Sequence, residues 1–392
     1  MTRVSRRRPS AARLIVSESE HSADMLYASG FRAPDPFVWV SDAKGTALLL
    51  SDLEVDRGRR EASVDKVVSA SGVEKSLSAK TGRRPSLPEV IASFLKGRGT
   101  HSAEVPSDFP LGLARGLEEA GIRISPVEGM FQPERMIKSP AEIRLLGEAL
   151  RITETGMARG IEVLREAEIG PRGILRHGGR TLTAERLRTE IESAILRAGG
   201  IPAGNSIVAC GEQACDPHER GHGPLRAGRL IILDIFPRSA AGYYGDMTRT
   251  VVRGRATPAQ RRLWETCLKG QELALRSLCP GAGGGEIHRT VTAFFDQSGY
   301  PTRRVRVKAG GGGGGKAGER WSGFFHGTGH GLGMDLHEEP RFGTTTLREG
   351  QVFTIEPGLY IPGLGGVRHE DVALVTPRGH RLLSRFPKEL EI

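Results

Sequence analysis

The stretch HGTGHGLGMDLHEEP, residues 326–340, places three histidines and four glycines within fifteen positions. A zinc-binding H-E-x-x-H helix is excluded, because the position four residues after His337 is Arg341. A G-x-G-x-x-G dinucleotide loop is excluded as well, since Leu332 stands where the third glycine would be. Each glycine costs a helix about 1 kcal/mol relative to alanine, so the pattern predicts extended or looped backbone packed closely against another group. On this stretch alone, a glycine-rich surface loop is an equal alternative.

Four acidic residues lie in or beside segments that otherwise predict buried strands. They are Asp234 in LIILDIF, Asp246 twelve residues later, Glu356 in VFTIEPG and Glu370 in GGVRHEDVALV. A hairpin through the turn-like PRSAAG segment would bring Asp234 and Asp246 together. Burying an unpaired carboxylate costs several kcal/mol, and Arg249 and Arg368 are too few to neutralise four. The pattern therefore predicts two divalent metal ions, held by the four carboxylates and one or more histidines.

Composition describes an ordinary globular protein. The chain has 392 residues, of which 38% are hydrophobic and 26% are charged, and this length is natural for two domains. No apolar run approaches the ~20 residues of a membrane span, and the N-terminal segment lacks the apolar core of a secretory signal. Four cysteines without a C-x-x-C pair favour reduced thiols and a cytoplasmic location.

The net charge of +10 raises the question of nucleic-acid binding. Five arginines fall within residues 1–14, and without them the net charge is +5. Aromatic residues make up only 5% of the chain, too few for an obvious base-stacking surface. We therefore interpret residues 1–14 as a disordered, solvated arm, and we expect neither nucleic acid nor a membrane as a partner.

The pattern of strand-like and helix-like runs predicts two domains that meet near residue 137. Between residues 15 and 137, short strand-like runs alternate with helix-like runs, which indicates a small α/β domain. Ser139 is a good N-cap, Pro140 suits the first helical position and Glu142 completes a capping box, so a helix of more than twenty residues should follow. Residues 138–392 then mix helices and strands in an α+β domain.

Further elements of the second domain follow from the same patterns. Helices are predicted within residues 182–200 and 258–278, and strands within 229–237, 247–254, 351–358 and 367–376. Because Arg368 and Glu370 are two residues apart in the last of these strands, both side chains should point to one face. A run of six glycines at 310–315 predicts a flexible loop over residues 309–318.

In this order the motifs resemble the pita-bread metallopeptidases. That family includes aminopeptidase P, prolidase and methionine aminopeptidase, with creatinase as a metal-free relative. The resemblance covers roughly residues 137–380, and SADMLYASGFRAPDPF (residues 22–37) resembles part of the creatinase-type N-terminal domain. It implies an α+β protein with a C-terminal pita-bread catalytic domain, preceded by a smaller α/β creatinase-type domain.

The resemblance also implies the ligands of two divalent ions, with manganese as the first choice and cobalt, zinc or iron as alternatives. The family's ligand positions fall on Asp234, Asp246, His330, Glu356 and Glu370. Asp246 and Glu370 would bridge both ions, Asp234 would complete one, and His330 and Glu356 the other. The glycines around His330 would let the backbone lie close to the metal site.

Three histidines match family residues that line the pocket and hydrogen-bond the substrate or its tetrahedral intermediate. These are His218, His326 and His337. For each, a purely structural histidine is the alternative. Glu356 would pass a proton to the leaving amine in addition to binding metal.

Arg368, Tyr360 and the N-terminal domain resemble the aminopeptidase P and prolidase branch of the family. The implied activity is hydrolysis of the N-terminal peptide bond of Xaa-Pro peptides, with a prolidase acting on Xaa-Pro dipeptides as the alternative. The resemblance implies that Arg368 and Tyr360 bind substrate and that Asp24 contributes to substrate binding from the N-terminal domain. A non-catalytic module that binds peptide or nucleic acid is a hypothesis of a different class, and the presence of all five ligand positions argues against it. Relatives of this kind imply a homo-oligomer, either a dimer or a tetramer.

The chain departs from the family pattern in the connection between the two aspartates. Twelve residues separate Asp234 from Asp246, where eleven are usual, and Phe236 stands where a glycine is usual. HEDV after Arg368 also replaces the commoner IEDD. An extra residue in a turn is easily accommodated, so we expect these differences to affect the rim of the site.

Overall fold

The structure is a computed structural model that describes residues 11–202, 206–307 and 318–392. The chain forms two compact units, Met1–Pro133 and Glu134–Ile392, so the division lies slightly before the predicted position near residue 137. Residues 1–10 of the predicted arm lie outside the described residues. The predicted glycine-rich loop also lies outside them, except for Gly318, which begins a strand.

The N-terminal unit is built on one six-stranded sheet, as the alternating pattern predicts. Its elements are β1 (Ala12–Ser17), α1 (Ala23–Ser29), β2 (Phe37–Asp42), β3 (Gly45–Leu50), α2 (Val55–Glu61), β4 (Lys66–Ser69), α3 (Ala70–Thr81), α4 (Leu87–Gly97), β5 (Ser102–Val105), α5 (Leu111–Glu119) and β6 (Arg123–Pro126). The strand order is β4-β3-β2-β1-β5-β6. Strands β1, β2 and β3 pair antiparallel, whereas β4, β5 and β6 each pair parallel to a neighbour.

Both faces of this sheet are covered, because successive side chains of a strand point to opposite sides. Leu14 packs in one hydrophobic core with Val40, and Ile15 packs in a second core with Trp39. Leu14 is fully buried and pairs with Val40 across β1 and β2. Residues 12–14 therefore belong to β1 and not to a disordered arm, which corrects the boundary expected at residue 14.

The second unit mixes long helices with several small sheets. Its elements are α6 (Pro140–Glu166), β7 (Glu168–Ile169), β8 (Leu175–His177), β9 (Arg180–Thr181), α7 (Ala184–Arg197), β10 (Gly200–Ile201), β11 (Ile207–Cys210), β12 (Leu230–Ile235), β13 (Arg238–Ser239), β14 (Met247–Val252), α8 (Pro258–Arg276), α9 (Gly284–Gln297), β15 (Arg303–Val307), β16 (Gly318–Ser322), β17 (Val352–Ile355), β18 (Gly358–Ile361), β19 (Gly365–Arg368), β20 (Asp371–Thr376) and β21 (Gly379–Leu382). Short 3-10 helices cover Pro133–Met136, Pro171–Gly173 and Gly211–Cys215. None of the described helices is both long and apolar enough to cross a bilayer.

Helix α6 begins where the capping pattern predicts. The Ser139 side chain accepts a hydrogen bond from the Glu142 backbone, the Glu142 carboxylate accepts one from the Ser139 backbone, and Pro140 occupies the first turn. The apolar face of α6 packs on α7 and on strand β12 through residues such as Met157 and Leu164. This contact fixes one side of the sheet that carries the acidic residues.

Strand β12 turns its two faces to different surroundings. Ile231, Leu233 and Ile235 point into the core shared with α6 and α7. Ile232 points the other way and packs with Tyr360. Asp234 shares the face of Ile232 because side chains alternate along a strand, so its carboxylate lies on the side away from the two helices.

The predicted strand over residues 367–376 is wrong as a single element. Strand β19 ends at Arg368 and pairs with β18, whereas β20 begins at Asp371 and pairs with β17. Between them the Glu370 backbone N–H donates to the Thr248 carbonyl at 3.2 Å. The chain changes its partner strand at this point, but the Arg368 and Glu370 side chains still lie on one side, since both contact the Thr248 hydroxyl.

Candidate active site

Two strand pairings gather the four acidic residues. Strands β12 and β14 form the predicted hairpin, in which Asp234 lies opposite Thr248, two residues after Asp246. In the second pairing, Ile355 at the end of β17 lies opposite Asp371 at the start of β20. Their chain neighbours Glu356 and Glu370 therefore lie at the same end of that pair. Each acid sits at a strand end or on a strand face that points to one common space.

His330 completes the cluster. Its Nε2 atom lies 3.5 Å from Asp246 Oδ2 and 3.5 Å from Glu356 Oε1. Among the residues that the structure describes, Asp246, His330 and Glu370 form the group whose possible ligand atoms all lie within 4.8 Å of one another. Asp246 also hydrogen-bonds the carboxyl group of Glu370.

The cluster holds more negative charge than its protein surroundings compensate. Burial, followed by repulsion from neighbouring carboxylates, raises the pKa values of Asp246 and Glu370 well above the ordinary range. Burial also raises the pKa of Glu356 to about 8, although Arg368 acts in the opposite direction. A divalent cation would remove this repulsion, and oxygen donors with one imidazole are a suitable ligand set for Mn²⁺, Co²⁺, Zn²⁺ or Fe²⁺. These residues thus fit the metal ions that the sequence implies.

The imidazole of His330 is oriented for such a role. Its Nδ1 atom lies 3.1 Å from the Gly331 carbonyl oxygen, which fits the tautomer that donates from Nδ1 and leaves Nε2 as an electron-pair donor. Burial and the neighbouring His337 lower the pKa of His330 to about 4, so the ring is neutral at pH 7. A neutral imidazole is the form that binds metal.

Gly329 and Gly331 are required because neighbouring backbone packs too closely for a side chain at either position. A Cβ atom on Gly329 would lie 1.9 Å from the Thr354 carbonyl oxygen of β17. One on Gly331 would lie 2.3 Å from the Glu338 carbonyl oxygen. The stretch is therefore a tightly packed loop in which Gly329 and Gly331 let His330 lie against β17. The sequence predicted that these glycines bring the backbone close to the metal site. Instead, they bring it close to β17 and to the Glu338 backbone.

Arg368, Tyr360 and His326 form a chain of hydrogen bonds that ends at Asp234. The guanidinium of Arg368 donates from Nη2 to Asp234 Oδ2 at 2.6 Å and from Nη1 to the Tyr360 hydroxyl at 2.8 Å. The same hydroxyl lies 2.8 Å from His326 Nε2. Burial lowers the pKa of His326 to about 3 and keeps its ring neutral. Arg368 and Tyr360, both predicted to bind substrate, are thus buried beside the predicted ligand Asp234.

The other predicted pocket residues lie in three places. The His337 ring packs edge-to-face on the His330 ring, with centroids 4.2 Å apart. Burial lowers the pKa values of both His337 and His326, and the proximity of His218 adds to this effect at each ring. Asp24 lies in the first turn of helix α1 in the N-terminal unit, and its role stays a prediction.

The structure adds residues that the sequence patterns did not single out. The Thr248 hydroxyl donates to Glu370 Oε2 at 2.8 Å, and the Thr354 hydroxyl accepts from the His330 backbone at 3.1 Å. Thr248 follows Asp246 by two positions on a strand, so period-two alternation could have identified it. Glu338 lies within the histidine stretch, but its basic partners are about 200 residues away in the chain.

Known proteins with similar sequences and structures support this description. Residues 144–377 match the model of metallopeptidase family M24. The chain is 31% identical over 315 residues to the putative dipeptidase YkvY of Bacillus subtilis (78% of this chain, 77% of the relative). It is 32% identical over 287 residues to the Xaa-Pro aminopeptidase of Haemophilus influenzae (67% and 60%).

A solved structure shows the same fold over nearly the whole chain. The prolidase from Pyrococcus horikoshii OT3 superimposes with a TM-score of 0.75 at 25% identity, covering 97% of this chain and 95% of that one. Together with the sequence matches, this confirms the resemblance and the pita-bread fold with its preceding N-terminal domain. The chain belongs to metallopeptidase family M24.

Proposed function

We propose that this protein is a dinuclear-metal aminopeptidase that releases the first residue from peptides with proline in the second position. The observation that carries the proposal is the convergence of four carboxylates and His330 in one cluster, in which burial and neighbouring acids raise the pKa values of Asp246, Glu356 and Glu370. The names of the relatives supply the substrate class, since they include an Xaa-Pro aminopeptidase and a prolidase. A prolidase-type dipeptidase is the alternative within the same chemistry.

We assign the two ions to five ligands, with manganese as the first choice and cobalt, zinc or iron as alternatives. Asp246 and Glu370 would bridge the ions, Asp234 would complete one, and His330 and Glu356 the other. Bound divalent ions supply Lewis acidity for the peptide carbonyl and lower the pKa of water. The mutual proximity of Asp246, His330 and Glu370 supports the central part of this assignment.

Glu356 is the carboxylate best placed to move a proton. Its side chain is 20% exposed, compared with 12% for Asp234 and 6% for Asp246. It therefore opens toward the space that a substrate would enter, while the other acids are enclosed. In this position it would pass a proton to the leaving amine when the peptide bond breaks.

Three histidines and the buried arginine would shape the peptide-binding part of the site. His218, His326 and His337 would hydrogen-bond the substrate carbonyl and its tetrahedral intermediate. Arg368 would bind substrate together with Tyr360, and its contact with Asp234 would also hold that ligand in place. Asp24 would contribute from the N-terminal unit.

We also propose a cytoplasmic homo-oligomer, either a dimer or a tetramer, with peptides as its partners. All four cysteines are free thiols in the structure, which supports a reducing compartment. The oligomeric assignment rests on the resemblance and is checked by light scattering of the purified protein.

The test is an assay of metal-stripped protein reloaded with Mn²⁺, Co²⁺ or Zn²⁺. The substrates are a tripeptide Xaa-Pro-Yaa, the dipeptide Xaa-Pro and a Met-Ala-Yaa peptide, with Glu370→Ala as the control variant. Metal-dependent release of Xaa from the tripeptide, absent in the variant, is the expected result. Cleavage of the dipeptide alone would identify a prolidase, and an absence of bound metal would rule out the proposed mechanism.

A further inference from the structure

Three buried charges of the catalytic unit, here called the Glu338 clamp, lie outside the metal cluster. The clamp consists of Arg135, Lys138 and Glu338, whose side chains are 5%, 1% and 2% exposed. Glu338 Oε1 lies 2.6 Å from Lys138 Nζ, and Glu338 Oε2 lies 2.6 Å from Arg135 Nη2. Burial raises the pKa of Glu338, but the two cations outweigh it and hold the pKa below its usual range. The acid is therefore ionised and held on both oxygens.

The clamp is connected to His330 through one carbonyl group. The Glu338 backbone N–H donates to the Gly331 carbonyl oxygen at 3.0 Å. The same oxygen lies 3.1 Å from His330 Nδ1, the contact that directs Nε2 toward Asp246 and Glu356. Moving Glu338 would move this carbonyl, and with it the imidazole.

A second connection runs through the loop between the two site histidines. The Glu338 carboxylate accepts from the Asp335 backbone at 3.2 Å, and a Cβ on Gly333 would lie 2.2 Å from Glu338 Oε1. The loop is thus wrapped around the carboxylate itself. His337 directly precedes Glu338, and its ring packs on His330, so both histidines depend on the same anchored residue.

We propose that Arg135 and Lys138, acting through Glu338, are positioning residues that set the orientation of His330 and His337. This inference rests on the metal-ligand role proposed above for His330. Stability alone is a weak explanation for the clamp, because apolar residues commonly replace a buried ion pair without loss of stability. A carboxylate held on both oxygens provides a fixed position for the loop, and outer groups of this kind orient metal-binding imidazoles.

The experiment compares Lys138→Met with a matched control, using Co²⁺ titration followed by visible absorption. The control is Arg98→Met, which breaks a buried ion pair of the N-terminal unit, where Arg98 Nε lies 2.6 Å from Asp42 Oδ2. We expect the Kd for Co²⁺ to rise about 10–100-fold in Lys138→Met and to stay unchanged in Arg98→Met, although both lower the melting temperature. With saturating metal and an Xaa-Pro-Yaa peptide, kcat should fall more than KM changes.

Two further variants protect the test against a misfolded Lys138→Met protein. Glu338→Gln keeps the shape of the side chain and should also weaken Co²⁺ binding, whereas Arg135→Lys keeps the charge and should retain most of it. Wild-type affinity for Co²⁺ and wild-type kcat in folded Lys138→Met and Glu338→Gln would overturn the positioning role and leave the proposed function intact. A failure of the wild-type protein to bind Co²⁺ would overturn both.

Discussion

A buried carboxylate stays ionised only where cations or hydrogen-bond donors compensate its charge. Glu338 meets this condition through the two basic groups of its clamp, and its pKa is lowered despite burial. Asp246 and Glu370 are equally buried but face other acids, and their pKa values are raised. The contrast between acids of the same unit is the physical argument for the proposed metal centre, since bound cations would compensate the charge that the protein leaves uncompensated.

Thr248 is the residue at which we expect a small change to have a large effect on catalysis. Its hydroxyl donates to Glu370 Oε2 at 2.8 Å and accepts from Arg368 Nε at 3.3 Å. Thr248→Val keeps the shape but leaves the carboxylate without this donor. We expect kcat/KM on an Xaa-Pro-Yaa peptide to fall about 10–100-fold, the usual effect of removing a hydrogen bond to a metal ligand, which is the role proposed for Glu370.

The matched control is Thr153→Val in helix α6. Thr153 is also fully buried, but its hydroxyl donates to the Ala149 carbonyl of its own helix at 3.0 Å. Activity close to that of the wild type is expected for this variant. Equal losses in both variants would mean that general packing, and not the contact with Glu370, explains the effect.

Sequence reasoning identified the four acids of the cluster through their chemistry, because acids inside apolar strands are conspicuous, whereas His330 was identified through the family resemblance. It did not identify the groups that hold them. Arg135 and Lys138 lie about 200 residues before Glu338, and Thr248 lies 122 residues before Glu370. No local pattern encodes contacts of that separation, so these partners required the three-dimensional structure.

At the scale of elements, the loop that carries His330 depends on its contact with β17. Gly329→Ala would place a Cβ 1.9 Å from the Thr354 carbonyl oxygen, and a strand backbone cannot move aside easily. We expect a loss of about 1–3 kcal/mol in the free energy of unfolding, together with weaker metal binding. Urea denaturation and Co²⁺ titration measure the two effects.

Gly327 in the same stretch provides the control for this prediction. A Cβ at that position would meet its nearest neighbour at 3.7 Å, an ordinary contact. Gly327→Ala should therefore leave stability and metal affinity almost unchanged. If both variants lost stability equally, loop flexibility would explain the glycines better than close packing does.

Elements with local signals were predicted correctly from the sequence. The capping residues of α6, the start of α8 at Pro258 and the hairpin of β12 and β14 all appear where the patterns place them. The break between β19 and β20 was not predicted, since residues 367–376 read as one apolar strand. The interruption depends on contacts of Glu370 with β14, among them the hydrogen bond from Arg249 Nη1 to the Glu370 carbonyl at 2.6 Å.

At the scale of the whole molecule, each unit has its own hydrophobic cores and its own buried ion pairs. In the N-terminal unit Arg98 forms an ion pair with Asp42. Burial raises the pKa of Asp42, but hydrogen bonds from Arg98 and from the Lys44 backbone outweigh it, and the pKa lies below its ordinary value of 3.8. A carboxyl group whose pKa is lower in the folded state stabilises the fold at pH values above its pKa in the unfolded chain. This stabilisation is lost as the pH falls through the pKa of the folded state.

Asp42→Asn should therefore destabilise the protein at pH 7 and matter less in acid. We expect a loss of about 3 kcal/mol in the free energy of unfolding at pH 7, because the variant leaves a buried guanidinium without its counter-charge. The difference from the wild type should stay constant down to about pH 5 and shrink below pH 3.8, the ordinary pKa of the acid. Urea unfolding at several pH values measures it, and a difference that grew in acid would contradict the assignment.

Removal of metal ions tests how far such ions stabilise the folded catalytic unit. The native state gathers Asp246, Glu356 and Glu370, whereas the unfolded chain separates them, so metal ions bind the native state preferentially. At a free metal concentration of 100 times Kd this adds about 2.7 kcal/mol, which corresponds to a rise of about 5–10 °C in Tm. Calorimetry of EDTA-treated protein before and after addition of Mn²⁺ measures the rise.

Glu370→Ala should abolish most of this rise in Tm, because the variant removes a proposed bridging ligand together with the repulsion that the ions relieve. An equal rise in the variant would place the stabilising ions elsewhere in the protein.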